Sequence, residues 1–104
     1  MAAIGFSGFE WDAGDRVKCQ KHGLTIEDVE HVLAHNETVI IPLDRFEEPR
    51  FIAVGRTAQG RFAFVVFTPC EKDGDRVQRP ISARYMHLRE IRRYEQEIAG
   101  LQKR

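Results

Sequence analysis

The sequence has little of what marks secreted, membrane-spanning or metal-stapled proteins. Its two cysteines, Cys19 and Cys70, stand far apart, and no C-x-x-C pair or Cys/His cluster at zinc spacing is present. We therefore expect two reduced thiols, one or both of them partly buried. No apolar run approaches the roughly 20 residues of a membrane helix, and the first residues lack the basic and apolar regions of a secretory signal. These absences predict a cytoplasmic protein.

Net charge is also absent, because sixteen Lys and Arg residues balance sixteen Asp and Glu residues. The balance conceals an asymmetry along the chain. Residues 1–60 carry six basic and ten acidic side chains, whereas residues 61–104 carry ten basic and six acidic ones. Such a distribution can present one positive surface to phosphates. Because exposed helix faces are commonly rich in Arg and Glu, charge alone favours a nucleic-acid ligand only weakly.

The N-terminal third of the sequence predicts a short strand followed by two helices. Residues 6–11 are aromatic and partly alternating, which is typical of a strand. Asp12 suits the N-cap of a first helix, and Gly23 suits its end. Thr25 and Asp28 have the spacing of a capping box for a second helix, whose apolar side chains recur on one face. We expect that face to enter the core.

The rest of the chain predicts four strands and a final helix. Strand-forming residues are concentrated in segments 38–43, 50–55, 61–68 and 76–83, and a helical periodicity covers 87–101. Pro42 indicates an edge strand, and Pro80 indicates an edge or a bulge. Trp11 and the phenylalanines are expected mostly in the core, with no role in nucleic-acid binding. We predict one α+β domain over residues 1–104, with an antiparallel sheet and the order β-α-α-β-β-β-β-α.

A series of short motifs is spread along the chain in a fixed order. They are Phe-Glu-Trp-Asp at 9–12, Lys-His-Gly-Leu at 21–24, Arg-Phe-Ile-Ala-Val-Gly-Arg-Thr at 50–57, Phe-Val-Val-Phe-Thr at 64–68, and Ile-Ser-Ala-Arg at 81–84 followed by Glu90 and Tyr94-Glu95. Together they resemble the BrnT family of toxins over most of the chain. Many family members place a Ser or Thr cap three residues before the Glu. This chain has His87 there, so we expect a weaker or shifted cap on the last helix.

The resemblance implies a compact α+β fold similar to RelE-type toxins, and a metal-independent endoribonuclease that slows translation. It also implies a BrnA-like antitoxin with a ribbon-helix-helix part, through which the pair would bind operator DNA and repress its own operon. No cofactor and no membrane contact are expected. Two other functions would use the same basic surface. One is a catalytically inactive, antitoxin-bound co-repressor, and the other is a nucleic-acid-binding module without a partner.

Metal-free cleavage of RNA needs proton transfer and a cation for the phosphate, because the 2′-OH of the RNA itself attacks. Arginine suits the phosphate, since its planar fork binds two oxygens and stays charged. We expect Arg56, in a Gly-flanked turn, and Arg84, between the last strand and the last helix, to bind the phosphate and the transition state. Arg50 and Arg79 are further RNA-binding candidates. Structural ion pairs are the alternative for all four.

Histidine and tyrosine supply the candidates for proton transfer. Histidine changes its charge near neutral pH, so His22 is a candidate general acid or base, with Lys21 beside it as an RNA ligand. The alternative for His22 is a cap at the end of the first helix. Tyr94 is suited to orient a phosphate or stack on a base, or else to pack its ring along the apolar side of the last helix. His31 and His35 have the spacing of two metal ligands, but no third ligand is evident.

Overall fold

The apolar side chains place two helices on one face of a four-stranded sheet. A computed structural model describes residues 5–44 and 47–102, with side chains through residue 97. Its elements, in chain order, are α1 (Ala13–Gln20), α2 (Ile26–Ala34), β1 (Val39–Leu43), β2 (Arg50–Arg56), β3 (Phe62–Lys72), β4 (Asp75–Tyr85) and α3 (Leu88–Gln102). This α+β arrangement and its order confirm the prediction from the sequence. Within the described ranges, no helix has the length and apolar character needed to cross a membrane.

The predicted first strand is present as a single bridge. Phe9 pairs with Gln78 of β4 in the parallel direction. The Glu10 N–H donates to the Gln78 carbonyl, and the Gln78 N–H donates to the Gly8 carbonyl, both at 3.0 Å. The pairing stops there because Asp12 already caps α1. The bridge still covers part of the outer edge of β4, whose backbone groups would otherwise be free to pair with another chain.

Hydrogen bonds at the predicted caps explain where the first two helices begin. The Asp12 carboxylate accepts a hydrogen bond from the Asp15 backbone N–H at 2.7 Å. Gly23, at a φ of 99°, ends the turn after α1 in the left-handed region. Thr25 and Asp28 form a complete capping box, in which each side chain accepts from the other residue's backbone N–H at 3.0 Å. The predicted caps of α1 and α2 are therefore confirmed.

The sheet has the strand order β1-β2-β3-β4, with antiparallel neighbours throughout. Asp73 and Gly74, at φ values of 53° and 84°, form the two-residue turn between β3 and β4. Pro42 lies in the edge strand β1. Pro80 lies in the other edge strand, β4, where the register slips between Ser82 and Pro80. Both prolines therefore occur where the ladder tolerates a missing backbone N–H, as predicted.

Side chains alternate across the sheet, so one face forms the core with α1 and α2. The buried cluster contains Cys19, Leu24, Val29, Val32 and Leu33 from the helical layer, and Ala53, Ala63, Val65, Phe67 and Ala83 from the strands. Trp11 packs at the margin of this cluster, and its indole N–H donates to the Glu30 carboxylate at 3.0 Å. Phe46, also expected in the core, lies outside the described residues.

The two cysteines are free thiols in different environments. Cys19 is fully buried in the core, and Cys70 is half-buried in β3. Burial is the largest effect that raises the pKa of the Cys19 thiol to about 12, and the nearby Asp15 carboxylate adds to it. A thiol of this kind is unreactive at neutral pH, so Cys19 serves as a small apolar core residue.

The opposite face of the sheet carries side chains that the core does not use. Phe62 lies opposite Arg56 of β2, and Phe64 lies opposite Arg84 of β4. The expected core role does not hold for Phe62 and Phe64. They alternate with the buried Ala63 and point to the other face, where both are only half-buried. The sheet thus separates its apolar core from a face that holds two of the predicted functional arginines.

Gly55, near the end of β2, allows a close approach between the sheet and the segment that follows α2. The hydroxyl of the buried Thr38 donates to the Val32 carbonyl at 2.6 Å, which ties this segment to the last turns of the helix. A Cβ atom placed on Gly55 would overlap the Thr38 hydroxyl oxygen. Only glycine therefore fits this position without displacing Thr38.

Replacing Gly55 with Ala should destabilise the fold by about 1–3 kcal/mol, because the added methyl must push Thr38 or the backbone aside. The measurement is the free energy of unfolding from urea titration. Gly14→Ala is the matched control, since a Cβ there lies in α1 at 3.6 Å from the nearest atom, the Asp12 carboxylate. The control should be neutral or stabilising. Equal free energies of unfolding for the wild-type protein and Gly55→Ala would show that the approach of Thr38 to Gly55 leaves room for a methyl group.

Candidate functional site

An open cleft of about 890 Å³ lies at the end of the sheet where β1 begins, β2 ends and β3 begins. Its walls come from segments that are distant in sequence: His31 and His35 from the end of α2, Arg56 from the end of β2, Phe62 from the start of β3, and Tyr94 and Glu95 from α3. The cleft therefore gathers one cation, one phenol, two imidazoles and, from Glu37 and Glu95, two carboxylates. These are the groups that phosphate binding and proton transfer use.

Arg56 is fixed in this cleft by an aromatic ring. Its guanidinium carbon lies 4.4 Å from the centroid of the Phe62 ring, and the Phe62 ring in turn meets the Tyr94 ring edge-on, with centroids 5.7 Å apart. In the described part of the chain, Arg56 forms no ion pair with a carboxylate. Contact with the ring restrains the guanidinium, and its N–H groups stay available to an anion.

Tyr94 stays a neutral hydroxyl at neutral pH. Burial raises the pKa of the Tyr94 hydroxyl above its ordinary value, and the positive charge of Arg56 opposes part of that rise. A protonated phenol beside a guanidinium can donate a hydrogen bond to the same anion. The Tyr94 ring packs on Phe62 and the residue lines the cleft, and its role toward a phosphate or a base stays a prediction.

The turn that carries Arg56 is held by Thr57. The Thr57 backbone N–H donates to the Arg61 carbonyl at 2.8 Å, and its carbonyl accepts from Gly60 at 2.9 Å. The Thr57 hydroxyl accepts from the Arg61 N–H at 3.3 Å. Thr57 is almost fully buried, and Gly60 adopts a φ of 85° that closes the turn. The position of Arg56 is thus set by backbone geometry.

Arg84 lies at the predicted strand–helix junction but is engaged with Glu90. Its two terminal nitrogens donate to the two Glu90 carboxylate oxygens, both at 2.9 Å. One of them also donates to the Tyr85 carbonyl at 3.2 Å, and the guanidinium rests 4.7 Å from the Phe64 ring centroid. Arg84 is not among the residues that line the cleft with Arg56. A bidentate pair of this kind ties α3 to the end of β4.

The same carboxylate caps α3. Glu90 accepts a hydrogen bond from the His87 backbone N–H at 2.8 Å. The sequence predicts a weak or shifted cap at His87, and the structure shows that Glu90 supplies the cap three residues later. α3 is therefore anchored at its first turn, although the neighbouring Leu88 side chain is 63% exposed.

The other predicted site residues do not line the Arg56 cleft. Lys21 and His22 are exposed in the turn after α1. Arg79 lies 3.6 Å from the buried Asp15 carboxylate, and Arg50 pairs with Glu48 at 3.2 Å. The sequence placed all four as RNA or acid–base candidates, and these roles stay predictions.

The sequence identified His31 and His35 only as an incomplete metal pair. Their rings lie 5.4 Å apart, tilted by 38°, and both belong to the cleft wall. Among the described residues, no group of three or more His, Cys, Asp or Glu side chains is placed to hold a metal ion. The i, i+4 spacing showed that the two rings share a helix face. It did not show that this face meets Arg56, because that depends on tertiary packing.

A second, smaller cleft of about 480 Å³ adjoins the first, and both are lined by His31 and Ala58. Its wall includes Arg61, whose guanidinium carbon lies 3.5 Å from the centroid of the Tyr85 ring. The Lys-His-Gly turn comes close to it, since a Cβ on Gly23 would lie 3.6 Å from the Tyr85 ring. The second cleft, which Glu27 and Asp28 also line, thus contains a paired arginine and tyrosine on which a nucleic-acid base can stack.

Replacing Glu90 with Gln should destabilise the protein at neutral pH, and the difference should shrink as pH falls. The Arg84 guanidinium, and then the His87 backbone N–H, lower the pKa of Glu90 to about 2 from an ordinary value of 4.5. A carboxylate with a depressed folded-state pKa contributes stability above its unfolded-state pKa and loses it as pH falls through the folded-state value. The gap between the urea midpoints of the two proteins should therefore close between pH 4.5 and about 2.

Glu97→Gln is the matched control for this measurement. Glu97 lies on the same helix and pairs with Arg93 at 3.4 Å, but both side chains are largely exposed. Exposed pairs contribute little to stability, so the Glu97→Gln midpoint should follow the wild-type midpoint at every pH. A Glu90→Gln midpoint equal to that of the wild-type protein at neutral pH would show that the Arg84–Glu90 ion pair does not stabilise the fold.

Comparison with known proteins identifies the family. The family described as ribonuclease toxin, BrnT, of type II toxin-antitoxin system has a model that matches residues 11–90. The matched span includes Arg56 and Arg84 and ends before Tyr94. Comparison with curated proteins gave no match. The match covers most of the chain and confirms the resemblance of its motifs, so the chain belongs to the BrnT family, the ribonuclease toxins of type II toxin–antitoxin systems.

Proposed function

We propose that this chain is an endoribonuclease that cleaves RNA without a metal ion and thereby inhibits translation. The observation that carries the proposal is the cleft at the sheet end, where the Arg56 guanidinium lies over the Phe62 ring beside Tyr94. Membership of a ribonuclease toxin family supports the activity. The cleft adds a cation and a neutral donor suited to a phosphodiester.

In the proposed reaction, the 2′-OH of the RNA attacks the adjacent phosphorus. A bond forms between the 2′-oxygen and phosphorus, and the bond from phosphorus to the 5′-oxygen breaks. The 2′-OH gives up one proton and the 5′-oxygen takes one up, so the products are a 2′,3′-cyclic phosphate and a 5′-OH. Arg56 binds the non-bridging oxygens, on which negative charge grows. The Tyr94 hydroxyl, which burial keeps protonated, donates to the leaving 5′-oxygen.

The remaining predicted residues take outer roles in this proposal. Arg84 acts as a positioning residue, because its pair with Glu90 holds the helix that carries Tyr94. Lys21 and His22 directly precede Gly23, which approaches the second cleft. In this proposal, they bind the RNA strand beyond the scissile phosphate. Arg50 and Arg79 keep the role of peripheral RNA contacts.

The antitoxin that the family implies is, in this proposal, a BrnA-like protein with a ribbon-helix-helix part. It would meet the toxin in the cytoplasm and connect it to operator DNA, which the toxin itself would not contact. We expect the antitoxin to cover the sheet end or α3, because these hold Arg56 and the exposed Leu88. Covering them would shield both the positive charge and the cleft.

Replacing Arg56 with Ala should lower the rate of RNA cleavage by about 10²–10³-fold, because the transition state loses its phosphate cation. Arg56→Lys keeps the charge without the planar fork and should have an intermediate rate. The measurement is single-turnover cleavage of a short single-stranded RNA in the presence of EDTA. The same RNA with a 2′-deoxy nucleotide at the cleaved position should stay intact.

Arg92→Ala is the matched control for this assay. Arg92 is exposed on α3 and lies two positions from Tyr94, hence on the opposite side of the helix. The Arg92→Ala variant should cleave the RNA at the rate of the wild-type protein. Full activity of Arg56→Ala would contradict the assignment of Arg56, and loss of wild-type activity in EDTA would contradict metal independence. A chain that cleaves no RNA and does not arrest growth, but binds its antitoxin, would instead be a co-repressor.

A further inference from the structure

We propose that His31 is the residue that takes the proton from the 2′-OH, with His35 beside it as a hydrogen-bond donor. The inference rests on the proposed ribonuclease function and supplies its missing proton acceptor. A guanidinium has no lone pair to accept a proton, and burial keeps the Tyr94 hydroxyl a neutral donor, so neither side chain suits this step. An imidazole can both accept and release a proton near neutral pH.

The position of His31 in the first cleft supports its role as the proton acceptor. Its side chain comes from the last turn of α2 and lines the same cleft as Arg56 and Tyr94. It is half-buried, and in the part of the chain that the structure describes its ring nitrogens form no hydrogen bond. A half-buried imidazole with a free nitrogen beside a bound phosphate is available to a substrate hydroxyl.

The hydrogen bonding of His35 separates the roles of the two rings. The Nδ1 atom of His35 accepts a hydrogen bond from the Glu37 backbone N–H at 3.2 Å. Because Nδ1 acts as the acceptor, the ring proton resides on Nε2. His35 therefore presents a donor, whereas His31, whose ring centroid is 5.4 Å away, keeps a nitrogen that can accept a proton.

The two adjoining clefts also support this role, because His31 belongs to the wall of both. A phosphate at Arg56 occupies the first cleft, and a base stacked on Arg61 and Tyr85 occupies the second. His31 lines both clefts, so an RNA strand that spans them passes its side chain. The ribose between the bound phosphate and the stacked base would bring its 2′-OH to this shared wall.

Two carboxylates in the first cleft are weaker candidates for the same proton transfer. Glu37 and Glu95 line the first cleft, but both are exposed. A carboxylate beside the phosphate would add negative charge where the reaction already accumulates it, whereas a neutral imidazole does not. His31 therefore fits the proton acceptor better than either glutamate.

His31→Ala should lower the single-turnover cleavage rate by about 10²–10⁴-fold, the usual contribution of a general base. Added free imidazole should restore part of the rate of His31→Ala but none of the rate of Arg56→Ala. A second RNA, with sulfur in place of the bridging 5′-oxygen, has a leaving group that needs no proton. His31→Ala should remain slow on this RNA, because a general base is still required.

His87→Ala is the matched control, since His87 is an exposed histidine whose backbone N–H, not its ring, bonds to Glu90. It should cleave at the wild-type rate. Binding of the uncleavable 2′-deoxy RNA should be unchanged in His31→Ala and in a second variant, His31→Gln, which shows that fold and binding survive.

Three results would overturn the inference while leaving the ribonuclease function in place. One is wild-type activity in His31→Ala. Another is full recovery of His31→Ala on the sulfur-containing RNA, which would make His31 a general acid. The third is a large loss in His22→Ala or Glu95→Gln with none in His31→Ala. If the wild-type protein cleaves neither RNA, the proposed function itself fails.

Discussion

The cleft depends on the close approach of Thr38 to Gly55. Thr38 joins α2 to β1, and Gly55 precedes Arg56 at the end of β2. With no side chain at Gly55, the hydroxyl that holds the last turns of α2 can lie directly against the strand. This contact brings the end of a helix to the end of a sheet. Residues that are distant in the chain thereby line one cleft, and the proposed reaction depends on bringing them together there.

Two arginines at the same end of the sheet have different surroundings, and the different roles proposed for them rest on this difference. Both guanidinium groups rest on phenylalanines of β3, Arg56 on Phe62 and Arg84 on Phe64. Arg84 satisfies its fork with both oxygens of Glu90 and so fixes the last helix. Arg56 lies over a ring but forms no ion pair with a carboxylate of the described residues, so its fork is suited to an external anion.

The features that were predictable from the sequence are the local ones. The caps at Asp12 and Thr25 and the end of the first helix at Gly23 depend on a few adjacent residues, and each was predicted. Arg56 could be placed at a sheet end because a glycine and a turn follow a strand. The association of His31 with Arg56 could not be predicted, since it requires knowing which end of α2 meets which end of the sheet. Phe62 was assigned to the core because its neighbours are apolar, although alternation turns it outward.

Several arginines of this protein lie on aromatic rings, namely Arg56 on Phe62, Arg61 on Tyr85, Arg76 on Phe6 and Arg84 on Phe64. A long side chain held in this way gives up rotamer freedom when the protein folds and has less to lose when it meets a ligand. Ordering such a side chain on binding costs about 0.5–1.5 kcal/mol. If Arg56 and Arg61 bind RNA as proposed, part of the entropic cost of ordering their side chains is already incurred during folding. A lysine of equal charge has a flexible stem without a planar group, so its ordering cost would fall on the binding step instead.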